Sequence, residues 1–282
     1  MNSSNIKKFR TKRRCLTLGE KTMIVGILNM TPDSFSDGGC YSDIGKAKDH
    51  FLRMESEGAT IIDIGGESTR PNHKAISSEE ELSRILPFLK KIRKESDCLI
   101  SIDTSKSKVA EKCLDEGADI INDVWGGQSD PNMIPIIAKY NAACFLMHNS
   151  TKSSVSEGNI IQSVSQFLHD SISLALDLGV NPESIGIDPG LGFGKLFEDN
   201  WRIMREISFL KEFQKPILLG ASRKSMIAQL LEIDDPKKRI FGTLATTAWA
   251  SMHDIDFVRV HDVLANIQCS RVINYCTHNE AN

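Results

Sequence analysis

Eight short apolar runs recur along this chain, at residues 23–28, 61–64, 99–102, 120–121, 143–147, 185–187, 217–219 and 257–260. A polar loop and then a longer stretch of helical period follow each of them. Near-continuous apolar character over a few residues predicts strands buried on both faces. Gly58, Gly117 and Gly179 each stand where a helical stretch gives way to a new apolar segment, the usual place for a glycine C-cap. Ser78, with Glu81 three residues later, resembles a capping box opening a helix. Strands that alternate with helices pair in parallel through right-handed crossovers. Eight such strands close a barrel, and an open doubly wound sheet satisfies the same pattern.

The 282 residues contain no Gly/Ser-rich linker and no shift in composition. One α/β domain is therefore expected over residues 15–282, after a flexible basic segment at 1–14. Residues 15–21 are expected to form a short hairpin that plugs the amino end of a barrel. A net charge of -3 gives no overall field to attract nucleic acid or a membrane surface. No apolar run approaches the ~20 residues that span a bilayer. Seven cysteines, an odd number without a C-x-x-C pair, read as reduced thiols in a cytoplasmic protein.

In either architecture, ligands bind at the carboxyl ends of the strands. The runs end, in order, at Asn29; at Gly65-Gly66-Glu67 after Asp63; at Asp103; at Asn122-Asp123; at Met147-His148; at Asp188; at Ser222-Arg223-Lys224; and at Arg259 and His261. Each residue also has a plain structural reading. Asp103 suits a helix cap, Asn122 a turn, and the glycines of 190–194 loop geometry. As a group they deliver polar side chains to one rim, which a purely structural protein does not need. Asp103, Asn122 and Asp188 suit the N–H edge of a polar heterocycle. Asn29, Arg70, Arg259 and His261 suit phosphoryl oxygens.

The strings ILNMTPDSFSDGG (27–39), DIGGESTRP (63–71), SIDTSK (101–106), IDPGLGFGK (187–195), GASRKS (220–225) and RVHDV (259–263) closely resemble dihydropteroate synthase. The resemblance runs in order over residues 15–272. It implies a (β/α)8 TIM barrel of the pterin-binding type, a homodimer, and a transferase of folate synthesis. The implied substrates are 6-hydroxymethyl-7,8-dihydropterin diphosphate and 4-aminobenzoate, with Mg²⁺. By this resemblance Asp103, Asn122, Met147, Asp188 and Lys224 hold the pterin. Asn29, Arg70, Arg259 and His261 hold the diphosphate, with Asn29 also on the metal. Thr69, Pro71, Phe193, Ser222 and Lys224 form the aminobenzoate site, which sulfonamides occupy in the family. Lys224, Asp188, Asp103 and Arg259 are the implied catalytic set. A pterin-binding methyltransferase would share the Asp and Asn contacts without needing the anion set. A non-catalytic pterin-binding paralogue would have lost Asn29, Lys224 or that set, all of which are present.

Overall fold

The computed structural model describes residues 7–31, 40–67, 75–150 and 159–277. Two short strands come first, β1 (Lys8–Arg10) and β2 (Cys15–Thr17), paired antiparallel. All eight apolar runs then appear as strands: β3 (Met23–Asn29), β4 (Ile61–Gly65), β5 (Leu99–Asp103), β6 (Ile120–Asp123), β7 (Ala143–Met147), β8 (Ile185–Asp188), β9 (Leu218–Leu219) and β10 (Phe257–Val260). They pair in parallel in the order β8-β7-β6-β5-β4-β3-β10-β9. A parallel bridge between Ile187 and Ile217, backed by Ile187 N–H donating to Pro216 O at 2.8 Å, joins the two ends. This settles the choice between barrel and open sheet in favour of a (β/α)8 barrel.

The crossovers are helical: α1 (Cys40–Glu57), α2 (Ser78–Ile92), α3 (Ser107–Asp115), α4 (Met133–Lys139), α5 (Ile160–Asp177), α6 (Phe197–Arg205), α7 (Ser225–Leu231) with α8 (Ile240–Met252), and α9 (Val263–Thr277) after the last strand. Gly58, Gly117 and Gly179 end α1, α3 and α5 with φ of +104°, +95° and +87°. These are left-handed values that glycine adopts without a Cβ clash. The opening of α2 differs from the expected capping box. Ser77 is the N-cap and accepts from Glu80 N–H, and Glu81 is buried and salt-bridged to Lys106 at 2.6 Å.

The amino-end plug begins earlier than expected. Part of the segment read as flexible, from Lys7 onward, is the first half of the hairpin. Phe9 is fully buried, stacks on Phe145 at 4.9 Å between centroids, and meets Phe257 edge-on at 5.5 Å. Lys7 Nζ anchors it to Asp256 Oδ2 at 2.7 Å. Three residues alternating Lys-Phe-Arg are too short a period-2 signal to stand out among basic neighbours, whereas burying one phenylalanine is worth roughly 1.5–3 kcal/mol. Gly186 makes room in this layer, since a Cβ there would lie 2.6 Å from the Phe145 ring.

Candidate active site

Side chains along a strand alternate between faces. The inward set therefore reads as one residue in two, and it changes character along the barrel axis. Near the amino end Val25, Ile61, Leu99, Ile120, Leu218 and Phe257 pack with Phe9 into an apolar floor. Further on, register pairs Asp63 with Ser101, Gly65 with Asp103, Asp103 with Asn122, and Met147 with Asp188. The carboxyl mouth of the barrel is thus polar above an apolar base.

Arg259 crosses this mouth. Its Nε donates to Asp63 Oδ2 and its Nη2 to Asp103 Oδ2, both at 2.6 Å. Asn122 Nδ2 donates to the same Asp63 oxygen at 3.1 Å. The second oxygens, Asp63 Oδ1 and Asp103 Oδ1, and the amide oxygen of Asn122 are buried and find no hydrogen-bond partner among the described residues. Each unpaired buried acceptor costs about 1–3 kcal/mol, so three side by side favour a ligand edge rich in N–H donors. One guanidinium cannot fully offset two buried carboxylates. Burial pushes Asp103 up to about 7, with Arg259 opposing and the Asp63 carboxylate reinforcing the shift.

Asp188 and Lys224 form a second charged pair. Asp188 Oδ1 accepts from Gly190 N–H at 2.7 Å. A Cβ built on Gly220 would lie 3.6 Å from Lys224 Nζ and 3.7 Å from Asp188 Oδ2, so the two groups flank one glycine. Lys224 Nζ also donates to Leu191 O and sits 4.6 Å from the Phe193 ring centroid. Burial lowers its pKa to about 8, with Asp188 opposing. Burial raises the pKa of Asp188, with Lys224 opposing.

Around this centre the loops are tied to one another. Ser222 Oγ lies 2.9 Å from His261 Nδ1. Lys195 Nζ reaches His148 Nδ1 at 2.8 Å and Gly190 O at 2.7 Å, holding the loop that carries Phe193 against the end of β7. Burial lowers Lys195 to about 7; burial and then the Lys195 charge hold His148 near 3. Gly190 and Gly194 serve this close approach. A Cβ on them would fall 1.9 Å from His148 O and 1.8 Å from Ser150 O, which is loop geometry and no phosphate cradle.

The pterin binding enzyme family matches residues 25–261. The chain is 48% identical over 256 residues to a dihydropteroate synthase of Clostridium beijerinckii, covering 90% of this chain and 94% of that one. This chain belongs to the dihydropteroate synthase family. A dihydropteroate synthase from Clostridium difficile, solved in the presence of pteroic acid, superposes with a TM-score of 0.88 at 46% identity, over 92% of this chain and 98% of that one. The Xanthomonas albilineans dihydropteroate synthase with 4-aminobenzoic acid gives 0.91 at 34% identity, over 96% and 98%. As a family member the chain is a transferase of the pterin-methylene group.

The structure brings Asn29, Asp103, Asn122, Met147, Asp188, Phe193, Ser222, Lys224, Arg259 and His261 to the strand ends and the loops that follow them. Thr69, Arg70 and Pro71 lie outside the described residues. The cap reading of Asp103 is excluded, since α3 is capped at Lys106 and Asp103 holds Arg259 instead. Asn122 is a strand residue bonded to Asp63, and no turn residue. Asp63 was not among the expected site residues. Its signal was a carboxylate inside an otherwise apolar run, which burial requires to be paired. The Lys195–His148 contact was also missed, because its partners are 47 residues apart.

Proposed function

We propose that this chain condenses 6-hydroxymethyl-7,8-dihydropterin diphosphate with 4-aminobenzoate, releasing pyrophosphate and forming 7,8-dihydropteroate. The observation that carries the residue assignment is the buried trio of unpaired acceptors on Asp63, Asp103 and Asn122, which complements the N–H edge of a pterin. Asp103, Asn122 and Asp188 bind that edge, and Met147 packs on the ring. Arg259 and His261, with Arg70, hold the diphosphate. Lys224 and Ser222 with Phe193, and Thr69 with Pro71, receive the aminobenzoate. The family relatives solved in the presence of pteroic acid and with 4-aminobenzoic acid support the two substrates of this reading.

The chemistry follows from charge. The C–O bond to the diphosphate breaks as negative charge moves onto the leaving group, where Arg259 and His261 stabilise it. Asp103 and Asp188 favour positive charge on the pterin methylene. The arylamine nitrogen then forms the new C–N bond and loses a proton, so no covalent enzyme intermediate is needed. Mg²⁺ would supply further neutralisation of the diphosphate when bound. Among the described residues no cluster of three or more His, Cys, Asp and Glu could hold a metal. Mg²⁺ keeps its waters and binds through substrate phosphates with one or two protein oxygens. Asn29 would be such a ligand. The position of a Gly65 Cβ is 3.8 Å from Asn29 Oδ1 and 3.7 Å from Asp103 Cβ, placing the amide beside the acceptor cluster.

The decisive experiment is product formation by the purified chain with both substrates and Mg²⁺, following dihydropteroate and pyrophosphate by chromatography. Product that requires both substrates and the metal supports the reading. A folded chain that binds 6-hydroxymethylpterin yet forms no product would favour a pterin-binding methyltransferase or a non-catalytic paralogue. Occupation of the aminobenzoate subsite by sulfonamides would show in the same assay as competition with 4-aminobenzoate.

Pterin binding should be linked to pH. Asp103 must be ionised to accept from the ring, and its raised pKa of about 7 means that binding below that value releases a proton. Affinity for 6-hydroxymethylpterin is therefore expected to rise with pH, by at most about tenfold per unit up to neutrality, and then level off. Calorimetric titration at pH 6 in buffers of different ionisation enthalpy reads the released proton. A flat affinity with no buffer dependence would refute the linkage.

We also propose a homodimer through α7, α8 and α9. α8 is amphipathic in the reverse sense. It buries Thr243, Thr246, Thr247 and Ser251 and exposes Phe241, Trp249 and Met252. Leu230, Leu231, Leu264, Val272 and Tyr275 of the neighbouring helices are exposed too. A large apolar patch of this kind marks an association surface. Phe241→Glu is expected to convert the dimer to a monomer in sedimentation. A wild-type chain that sediments as a monomer would overturn the assignment.

A further inference from the structure

We propose that the ion pair between Arg223 and Asp262 is a positioning clamp that locks the loop after β9 to the loop after β10 and so sets the aminobenzoate subsite; this rests on the function proposed above. Arg223 stands between Ser222 and Lys224, the two residues that this loop contributes to the site. Its φ is +59°, a left-handed value that a side chain with a Cβ adopts only where its surroundings hold it. The strain has a geometric use. Lys224 N–H closes a tight turn onto Ala221 O at 3.2 Å, and the turn leaves the Ser222 and Lys224 side chains beside His261 and Asp188.

The backbone N–H and carbonyl of Arg223 and two of its three guanidinium nitrogens hold that turn. Its N–H donates to Thr243 Oγ1 at 3.1 Å, and its carbonyl accepts from Arg239 Nη1 at 2.7 Å. Its guanidinium makes a two-point contact with Asp262, Nε to Oδ2 at 3.1 Å and Nη2 to Oδ1 at 2.6 Å. A fork-to-carboxylate contact fixes orientation as well as distance, which a lysine ammonium cannot do. Asp262 is itself anchored, because its carbonyl accepts from Asn266 Nδ2 at 2.7 Å and Asn266 Oδ1 accepts from Thr247 Oγ1 at 2.7 Å. The neighbouring residues form a parallel link, Ser222 Oγ to His261 Nδ1 at 2.9 Å. Two adjacent cross-links make the two loops one body. The subsite residues Ser222 and Lys224 are thereby held in register with the anion-binding Arg259 and His261. The pterin contacts of Asp103, Asn122, Met147 and Asp188 lie on other strands and do not pass through the clamp; of the pterin set only Lys224 does.

The test uses the full chain and three readouts: the steady-state rate with 4-aminobenzoate, the Kd for 6-hydroxymethylpterin by titration, and the thermal midpoint. Asp262→Asn is expected to raise KM for 4-aminobenzoate about tenfold with a much smaller change in kcat, leaving the pterin Kd within about twofold. Arg223→Gly relieves the left-handed strain while removing the fork, so it is expected to keep its thermal midpoint and still show the raised KM. The double variant should be no worse than either single one, because both break the same pair. Arg223→Lys should fail to restore KM. Wild-type KM in Asp262→Asn, wild-type KM in Arg223→Gly, or a pterin Kd that weakens in step with KM would each overturn the clamp. Absence of product from the unmodified chain would instead overturn the functional reading on which it rests.

Discussion

Replacing Lys224 with alanine is expected to lower kcat/KM by about 10²–10³ while leaving the chain folded. The size follows from what Lys224 does at once. Its ammonium is the counter-charge of Asp188, it faces the Phe193 ring at 4.6 Å, and it holds the Leu191 carbonyl. Losing a preorganised charged donor from a closed site typically costs about 2.7–4 kcal/mol of transition-state stabilisation. The effect on stability is of a different kind. Burial has lowered the pKa of Lys224 to about 8, so the fold disfavours its charged form relative to the unfolded chain. Removing it at neutral pH takes away an unfavourable desolvation as well as a favourable pairing, and the thermal midpoint should move by only a few degrees. Lys224→Arg should not rescue activity, because the planar guanidinium does not replace a point charge seated against a carbonyl and an aromatic face. Turnover near the wild-type rate in a folded Lys224→Ala chain would refute the assignment.

The barrel was legible because its signals are local. Each strand is an apolar run of a few residues, and Gly58, Gly117 and Gly179 end their helices as a C-cap glycine does. The rim was legible because strand ends in such folds carry the chemistry, which picks out Asp103, Asn122, Asp188 and Lys224 without knowledge of their partners. What sequence could not supply is pairing across the barrel. Asp63 and Arg259 are 196 residues apart and meet only because β4 and β10 flank β3 on either side. Arg259 suited an anion on residue type alone, yet the structure spends two of its donors on carboxylates. The same blindness hid Phe9, whose burial depends on a floor assembled from seven strands of the barrel, and the Arg223–Asp262 contact between two loops 39 residues apart.

Removal of Arg259 is the second large effect, and here fold and function should fail together. Arg259→Met leaves Asp63 and Asp103 as buried carboxylates without a cation, and breaking a buried pair in this way costs about 3–5 kcal/mol. The penalty has a definite pH dependence. Burial already holds the Asp103 pKa at about 7, above its ordinary value, and Arg259 is the group opposing that rise. Without Arg259 the folded-state pKa climbs further. Below the unfolded value, near 3.8, both states carry the proton and the variant loses nothing on this account. Between 3.8 and about 7 wild type and variant lose stability alike, and the variant's extra loss grows as pH rises above about 7 toward its own higher folded value. The gap in melting between Arg259→Met and wild type should therefore be smallest below pH 7 and widen steadily from pH 7 to pH 9. Adding Asp63→Asn should recover much of the stability at pH 8, since it removes one of the two stranded charges, but no activity, since the leaving diphosphate still lacks its cation. A pH-independent melting difference, or recovered turnover in the double variant, would show that Arg259 holds neither the carboxylates nor the departing anion in the way its two 2.6 Å contacts imply.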